Sequence, residues 1–427
     1  MLSGQDIGVR ILIWHGYLLG GTGSNVYTRS LARAFSGLGH DVVVVCQDPR
    51  PEEHDVGTAT VVRPDIGPVL PVFVRDSYEG FDVKLLGETT WAERQRVVEA
   101  NAATMRDLLP VDYTLTNHVL LGAPVGVDFG APFAVKVHGS ELEYAIRGNP
   151  ELVRWAKVSL AGAREVYVGS EHVRQALSET LGPGPHLRRV REVPPGVDTE
   201  LFRPRPRDEA LRELIAQAEL DTGGGPAHER LPDPGNAARF RAFFADEKPT
   251  IGYVGKLSVE KGVHLLVEAA RALNVRVVIV GFGEGRADLE KQTEGLDVLF
   301  TGALEHRHIA ALWPLCDVAV VPSIFPEAFG MVAAEAAASG TPPLVARHSG
   351  LASVAGALEG AYPEWGGTLA SFENDDVADL TRALGALLEL SEADRRQLGL
   401  SARSVASELW SWQGIATQLI HGVPTLQ

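Results

Sequence analysis

Short runs of Val, Ile and Ala recur along the chain, and longer segments with the three-to-four-residue spacing of an amphipathic helix follow them. In the first half the runs cover 9–14, 41–46, 133–137 and 165–169, and in the second half 250–254, 275–281, 298–302, 317–322 and 343–346. Such alternation predicts parallel sheets covered by helices. Because the pattern restarts at residue 250, it predicts two doubly wound, Rossmann-like α/β domains.

A Pro- and Gly-rich region separates the two halves. Residues 193–206 read VPPGVDTELFRPRP, and residues 221–236 read DTGGGPAHERLPDPGN. This composition is typical of turns and irregular connections. We therefore expect an N-terminal domain over 1–205, a linker or insert with helices of its own over 206–246, a C-terminal domain over 247–408 and a terminal segment over 409–427.

Composition and charge narrow the classes of partner. Of the 427 residues 45% are hydrophobic and 22% charged, and the formal net charge is −16. That acidic excess repels phosphate backbones and anionic lipids, so neither nucleic acid nor stable membrane association is expected. No signal-like segment begins the chain, and no apolar run reaches the roughly 18 residues of a membrane span. The only cysteines, Cys46 and Cys316, suggest neither a disulfide framework nor a zinc site, which fits the cytoplasm.

Two strand-to-helix junctions carry groups suited to phosphate. Gly20 and Gly21 follow the first strand, where backbone N–H groups can approach an anion; a plain turn explains the glycines equally well, and their spacing matches neither the dinucleotide nor the P-loop pattern. Lys256 and Lys261 occupy the corresponding junction of the second half, in a chain with seven lysines and thirty-two arginines. Two ammonium groups there would neutralise a diphosphate leaving group, although a solvated loop is the alternative.

The segment 322–340, PSIFPEAFGMVAAEAAASG, is the most specific of the chain. It predicts a strand end followed by a helix from about Ala328, with Glu327 beside the helix N-terminus and Glu335 between alanines. On one helix the two carboxylates would lie about 12 Å apart along the axis, which suits the two ends of an extended nucleotide sugar. A dipole partner and an exposed helix residue are the alternative. The N–H groups expected to point outward at this helix start are those of Ala328, Phe329 and Gly330.

Histidines also follow strands. His118 and His138 would both emerge at the carboxyl, ligand-facing edge of the first sheet, although a lone histidine is more often structural. His306 and His308, two residues apart at a helix start, do not face one way, so no metal site is expected. Ser170 lacks the nucleophile elbow of hydrolases.

Taken together, these segments resemble the retaining GT-B glycosyltransferases of the glycosyltransferase family 4 type. They are GGTGSNVYTRSLARAFSGLGHDVVVV, VHGSE, PPGVDTELFRP, VGKLSVEKG, IVGFGEG and PSIFPEAFGMVAAEAAASGTPPLVA, the last with its Glu327-x7-Glu335 pair. The resemblance covers nearly the whole chain apart from 62–106 and 221–236. It implies two Rossmann-like domains facing across a cleft, a donor held mainly by the C-terminal one, and a last helix around 410–420 that returns to the N-terminal domain.

The resemblance also implies roles for the residues that match its motifs. Lys256 and Lys261 would hold the donor diphosphate, and Gly20 and Gly21 would approach it from the N-terminal domain. Because position 256 is Lys where most of the family carries Arg, bidentate phosphate contact is lost there.

The remaining implied roles concern the ribose and the sugar. Glu335 would bind the ribose, and His138 would sit beside the sugar near the reacting centre. The sugar hydroxyls would be held by Glu327 and by the backbone of Ala328, Phe329, Gly330 and Met331.

The expected activity is therefore transfer of a sugar, with retention, from a nucleoside diphosphate sugar with uridine as the default base. No metal and no cofactor besides this donor substrate are expected. A soluble small-molecule acceptor is favoured over a lipid, because the helical segment 91–109 mixes Arg with Glu and Asp and forms no polybasic strip. The alternatives are a GT-B phosphorylase, a nucleotide-sugar epimerase or hydrolase, and a catalytically silent sugar-nucleotide-binding protein.

Overall fold

The computed structural model describes residues 8–74, 78–221 and 231–421. They divide into two compact units. The first comprises the described residues up to Gly196 together with those from Trp412 onwards, and the second is Val197–Ser411. Each unit is built around a parallel sheet.

The first unit has a parallel sheet with the strand order β3-β2-β1-β6-β7-β8-β9 and a separate parallel pair, β4-β5. Its strands are β1 (Arg10–Trp14), β2 (Asp41–Val45), β3 (Thr60–Val62), β4 (Val69–Val72), β5 (Asp82–Leu85), β6 (Tyr113–Asn117), β7 (Ala134–Lys136), β8 (Glu165–Val168) and β9 (Val190–Glu192). Its helices are α1 (Gly23–Gly37), α2 (Trp91–Asp107), α3 (Gly122–Phe129), α4 (Pro150–Gly162), α5 (Glu171–Leu181) and α15 (Trp412–Ile420).

The second unit has a parallel sheet with the strand order β12-β11-β10-β13-β14-β15. Its strands are β10 (Thr250–Val254), β11 (Arg276–Val280), β12 (Val298–Phe300), β13 (Val318–Val321), β14 (Pro343–Ala346) and β15 (Ser371–Phe372). Its helices are α6 (Arg207–Glu219), α7 (Asn236–Phe243), α8 (Val263–Leu273), α9 (Arg286–Gln292), α10 (His306–Leu312), α11 (Met331–Ala338), α12 (Ser349–Ala361), α13 (Val377–Glu389) and α14 (Glu392–Leu409).

The apolar runs form strands because both faces of each sheet are covered. In β1, Leu12 belongs to one hydrophobic cluster of the first unit, and its neighbours Ile11 and Ile13 belong to another. Side chains alternate between the two faces of a strand, so a strand that is buried on both sides is apolar at most of its positions. The predicted α/β architecture with parallel sheets is confirmed in both units.

The division into units differs from the expected boundaries at 205, 246 and 408. Helix α6 of the expected linker buries Ala210 and Leu214 in the core of the second unit, and α7 buries Phe240 there, so the segment belongs to that unit. Of the expected irregular connection 221–236, residues 222–230 lie outside the described residues. The last helix, α15, packs against α1 in the first unit, where the resemblance places it.

Each sheet has a point at which the strand order reverses. In the first sheet this point lies between β1 and β6, and in the second it lies between β10 and β13. Loops leaving the carboxyl ends of such strand pairs diverge to opposite faces and leave a crevice that commonly binds ligands. Functional groups are therefore expected in the loops after these four strands.

Candidate active site

Two loops of the second unit are tied together at its switch point. The carbonyl oxygen of Glu260, after β10, accepts hydrogen bonds from the N–H groups of Ile324 (2.9 Å) and Phe325 (3.1 Å), after β13. Gly262 adopts a φ of 64°, and a Cβ atom there would lie 1.9 Å from the carbonyl oxygen of Pro322. Because only glycine fits this close approach, the spacing of the two loops is fixed.

Lys256, the first of the two predicted phosphate-binding lysines, is positioned by its own loop. The Tyr253 hydroxyl donates to the Lys256 carbonyl oxygen at 2.9 Å, and Gly255 leaves room for that hydroxyl. The Lys256 side chain is 54% exposed, and its Nζ lies 3.4 Å from Oε2 of Glu284. Because an ion pair this exposed is weak, the ammonium group is available to a ligand.

The second predicted lysine, Lys261, forms an ion pair with Glu327. Lys261 Nζ donates to Glu327 Oε1, and the side chains are 34% and 25% exposed. The Glu327 backbone is fixed from α12, because its N–H donates to Ser349 Oγ and its carbonyl accepts from the Gly350 N–H, both at 2.9 Å. The structure thus joins two residues for which the family resemblance implies separate roles.

The helix that carries Glu335 begins later than the sequence pattern predicts. Helix α11 starts at Met331 and not near Ala328, because Gly330 adopts a φ of 119°, which no right-handed helix contains. Glu327 therefore lies in the preceding loop. The expected axial separation of about 12 Å assumes that both carboxylates lie on one helix, and it is therefore wrong.

The backbone of Ala328 and Phe329 is supported by the start of α12. A Cβ atom at Gly350 would lie 2.5 Å from the carbonyl of Ala328 and from the nitrogen of Phe329. The Phe329 ring is buried and packs edge-on against Trp410, with the ring centroids 5.7 Å apart. A ligand can therefore contact only the backbone of Phe329, and not its ring.

Glu335 has a partner that the sequence did not indicate. Its carboxylate is buried among the alanines of α11, and its Oε1 lies 3.4 Å from Nε2 of His306, the first residue of α10. The sequence suggested a helix-start role for both His306 and His308. His308 is buried, with Nε2 3.2 Å from Oδ1 of Asp221, which agrees with a structural role.

In the first unit, Asn25 holds the glycine loop after β1. Its Nδ2 donates to the Gly20 carbonyl at 2.5 Å, and its Oδ1 lies 2.8 Å from His15 Nε2. Because Nδ2 is engaged with a carbonyl, Oδ1 accepts from His15, which therefore carries a proton on Nε2. Gly21 adopts a φ of 91°, a conformation that favours glycine.

His138 follows β7, and its protonation is set by its neighbours. Its Nε2 lies 2.8 Å from Asn117 Oδ1, while Asn117 Nδ2 donates to the Trp14 carbonyl at 3.1 Å. By the same reasoning the proton of His138 sits on Nε2. Burial, followed by the charges of His118 and Lys136, lowers the pKa of His138 well below its usual value. His138 is therefore a neutral hydrogen-bonding group at neutral pH.

A second buried pair, His118 and Glu141, lies beside His138. Glu141 Oε2 is 3.4 Å from His118 Nδ1, and Oε1 accepts from the Val119 N–H at 3.2 Å. Burial alone would raise the pKa of Glu141, but these hydrogen bonds outweigh it and hold the pKa below its usual value. The His118 and His138 ring centroids are 4.8 Å apart. The pairing could have been found from the rule that adjacent strands β6 and β7 end at one edge.

Within the described ranges, no group of three or more His, Cys, Asp or Glu residues is placed to hold a metal ion. Among the same residues no helix is both long and apolar enough to cross a membrane.

The second-unit site combines two kinds of charged group. Lys256 and Lys261 offer ammonium groups, which bind phosphate oxygens, and Glu327 and Glu335 offer carboxylates, which accept hydrogen bonds from hydroxyl groups. Fold and site together define a class of doubly wound α/β proteins suited to a ligand that carries both phosphate and hydroxyl groups.

Comparison with known proteins agrees with this class. The "Glycosyl transferase 4-like domain" model matches residues 22–196, and the "Glycosyl transferases group 1" model matches residues 236–405. The D-inositol 3-phosphate glycosyltransferase of Xylanimonas cellulosilytica is 31% identical over 248 residues, which are 56% of this chain and 51% of the relative. The MMP alpha-(1->4)-mannosyltransferase of Mycolicibacterium hassiacum is 28% identical over 93% of both chains. Relatives at 30% identity or more are matched over about half of this chain and 38% to 51% of their own length.

A solved structure of Anabaena HepE in complex with UDP-glucose has the same fold, with a TM-score of 0.62, 18% identity, and coverage of 97% of this chain and 98% of that one. The two family models together span most of this chain. The chain belongs to the GT-B glycosyltransferases of family 4 type.

Proposed function

We propose that this chain transfers a sugar from a nucleoside diphosphate sugar to an acceptor, with retention at the anomeric carbon. The observation that carries the proposal is the arrangement after β10 and β13, where Lys256, Lys261 and Glu327 lie on two interlocked loops at the switch point. Cations for a diphosphate and a carboxylate for sugar hydroxyls are thus present on a fixed backbone. Fixed charges of this kind stabilise a leaving diphosphate without reorganisation during the reaction.

Each group of the second unit has a part in this proposal. Lys256 and Lys261 bind the diphosphate and neutralise the charge that develops on it when the glycosidic bond breaks. Glu327 and the backbone from 328 to 331 hold the sugar hydroxyls, and Glu335 binds the ribose. The lysines supply the charge that a metal ion supplies in other transferases, so we propose a metal-independent reaction.

The first unit would contribute the acceptor side. His138 is neutral and its Nε2 is occupied by Asn117, so its role would be to hold a hydroxyl near the reacting centre and not to deliver a proton as an imidazolium. The roles of Gly20 and Gly21 toward the diphosphate stay predictions. Retention is proposed from the family resemblance, and no enzymatic base is assigned.

We propose UDP as the nucleotide of the donor and a soluble small molecule as the acceptor. A structural neighbour binds UDP-glucose, which supports the nucleotide. Helix α2 supports the acceptor class, because its Arg94 is buried and pairs with Glu151 at 2.8 Å, which leaves this arginine unable to reach a lipid headgroup. Buried, free thiols at Cys46 and Cys316 support the cytoplasm as the compartment.

The proposal is tested first by binding. A thermal-shift panel of UDP-glucose, GDP-mannose and ADP-glucose, each with its free nucleotide, should show stabilisation by at least one pair, of about 2.7 kcal/mol at 100 times the dissociation constant. Products formed from the stabilising donor, with and without inorganic phosphate, then separate a transferase from a phosphorylase or a hydrolase. No stabilisation by any member of the panel would refute the proposal.

The second test is the variant Glu327→Ala. Loss of the carboxylate should abolish transfer, because the hydroxyl groups of the sugar lose their hydrogen-bond acceptor. Binding of the free nucleotide should survive through the lysines and Glu335. Glu284→Ala is the matched control, since it removes an exposed carboxylate from the neighbouring loop. Turnover of Glu327→Ala at the wild-type rate would exclude the proposed role of this residue.

A further inference from the structure

Both lysines assigned to the diphosphate are paired with carboxylates in the protein itself, but the two pairs differ. Lys256 and Glu284 are 3.4 Å apart, with side chains 54% and 68% exposed. Lys261 and Glu327 are in direct contact, with side chains 34% and 25% exposed. Because burial weakens the screening of charge by water, the second pair interacts more strongly. A ligand phosphate that approaches Lys261 therefore competes with Glu327 for this cation.

We propose that the Lys261–Glu327 pair makes this site select an intact nucleotide sugar over the free nucleoside diphosphate. The inference rests on the proposed function and specifies how one ion pair discriminates substrate from product. Binding becomes an exchange of partners in which Lys261 turns to the diphosphate and Glu327 turns to the sugar hydroxyls. Only a ligand that carries both groups satisfies both residues.

The backbone around the pair supports this exchange. Glu260, next to Lys261, holds the N–H groups of Ile324 and Phe325, and Gly262 is wedged against Pro322. These contacts hold the two loops together. When a phosphate replaces Glu327 at Lys261, the Glu327 carboxylate stays near. The ammonium and carboxylate groups can then separate only by rotation of their side chains.

The consequence for the free nucleotide is unfavourable. Its terminal phosphate would take Lys261 and leave the partly buried Glu327 carboxylate without this cation and close to a new anion, which like-charge repulsion penalises. Ser349 and Gly350 hold the backbone of Glu327, so the residue cannot withdraw as a unit. A sugar on the diphosphate removes the penalty, because its hydroxyl groups donate to the carboxylate.

The experiment is calorimetric titration of UDP and UDP-glucose into wild type, Glu327→Gln, Lys261→Gln and the double variant, with GDP or ADP and their sugars substituted if these give the larger thermal shift. Glu327→Gln should bind the free nucleotide about five- to tenfold more tightly than wild type, because Lys261 is released, and the nucleotide sugar more weakly. In the Lys261→Gln background the same change should not tighten nucleotide binding. Circular dichroism and thermal unfolding verify that each variant is folded.

Glu284→Gln is the matched control. It releases Lys256 from the exposed pair and should leave the ratio of the two affinities within about twofold of wild type. Unchanged or weaker nucleotide binding by folded Glu327→Gln would overturn the inference while leaving the proposed function intact. Equal tightening in the presence and absence of Lys261 would overturn it as well. Failure of wild type to bind any of the nucleotides or their sugars would overturn both proposals.

Discussion

Acid should destabilise the first unit through His15, which lies at the carboxyl end of β1. The side chain is fully buried, and burial, followed by the charge of His118, lowers its pKa from 6.5 to about 3. Two further groups lie against the ring, since Tyr17 contacts it edge-on and Asn25 accepts from its Nε2. A second proton on this imidazole would be buried without a counter-charge, so the folded state resists protonation.

The sign and size of this effect of pH on stability follow from the difference between the pKa values of His15 in the folded and unfolded states. Because the folded-state pKa lies below the unfolded-state value, the stabilisation is complete above about pH 6.5 and is lost as the pH falls towards 3. At pH 5 His15 has gained its proton in the unfolded state but not in the folded state. Because pH 5 lies about 1.5 units below the unfolded-state pKa, the free energy of unfolding falls by about 2 kcal/mol. For a unit of this size such a loss lowers the melting temperature by about 4–8 °C.

The assay compares wild type with His15→Gln by calorimetric unfolding at pH 7 and pH 5. Glutamine keeps a donor for Asn25 and removes the titration, so the variant should be less stable at pH 7 but should lose about 4–8 °C less than wild type on acidification. Other buried groups that titrate, such as His138, are present in both proteins and cancel in the difference. Equal losses in the two proteins would refute the assignment of the acid sensitivity to His15.

Four further outcomes are expected. Lys256→Ala and Lys261→Ala should each lower donor affinity or transition-state stabilisation by about ten- to hundredfold; normal binding and turnover in both would make these lysines surface charge only. Activity should persist in EDTA after dialysis, and a loss that Mg²⁺ or Mn²⁺ restores would contradict the metal-independent proposal. Vesicles of anionic lipid at low salt should not co-sediment the protein, whereas substantial co-pelleting would favour a lipid acceptor. Gly262→Ala should lower the urea midpoint of the second unit, because its Cβ would lie 1.9 Å from the Pro322 carbonyl oxygen, while Gly356→Ala in α12, with open space around the added Cβ, should not.

The sheets could be predicted from the sequence because strand formation in a doubly wound domain leaves a local signal. Each of the nine apolar runs contains a strand of the structure, because covering both faces of a sheet selects apolar residues at most strand positions. Strands at the sheet margins leave no such signal. β5 has no fully buried residue, and β9 has two exposed residues of three, so neither shows a hydrophobic pattern.

The boundaries of the units are harder to predict, because a Pro- and Gly-rich composition indicates turns and linkers but not which core a segment packs against. Residues 193–206 are rich in Pro, as a linker would be, yet the division falls at Gly196, and Phe202 is buried in the second core. In the same way, alanines favour a helix from about Ala328, but the left-handed conformation of Gly330 delays its start to Met331. A glycine can continue or end a helix, and only the surrounding packing decides which.

The candidate site shows a related limit. Topology states which loops meet, because parallel strands end at one edge, and it places Lys261, Glu327 and His138 in segments that follow such strand ends. Which side chains pair across those loops depends on differences of a few ångströms in backbone position, which no spacing rule contains. The pairing of Lys261 with Glu327 is of this kind, and it changes the chemistry that the residues suggest separately. Lys261 and Glu327, which are expected to contact a ligand independently, form one ion pair. Their substitutions should therefore be non-additive, and the two single variants cannot be interpreted without the double variant.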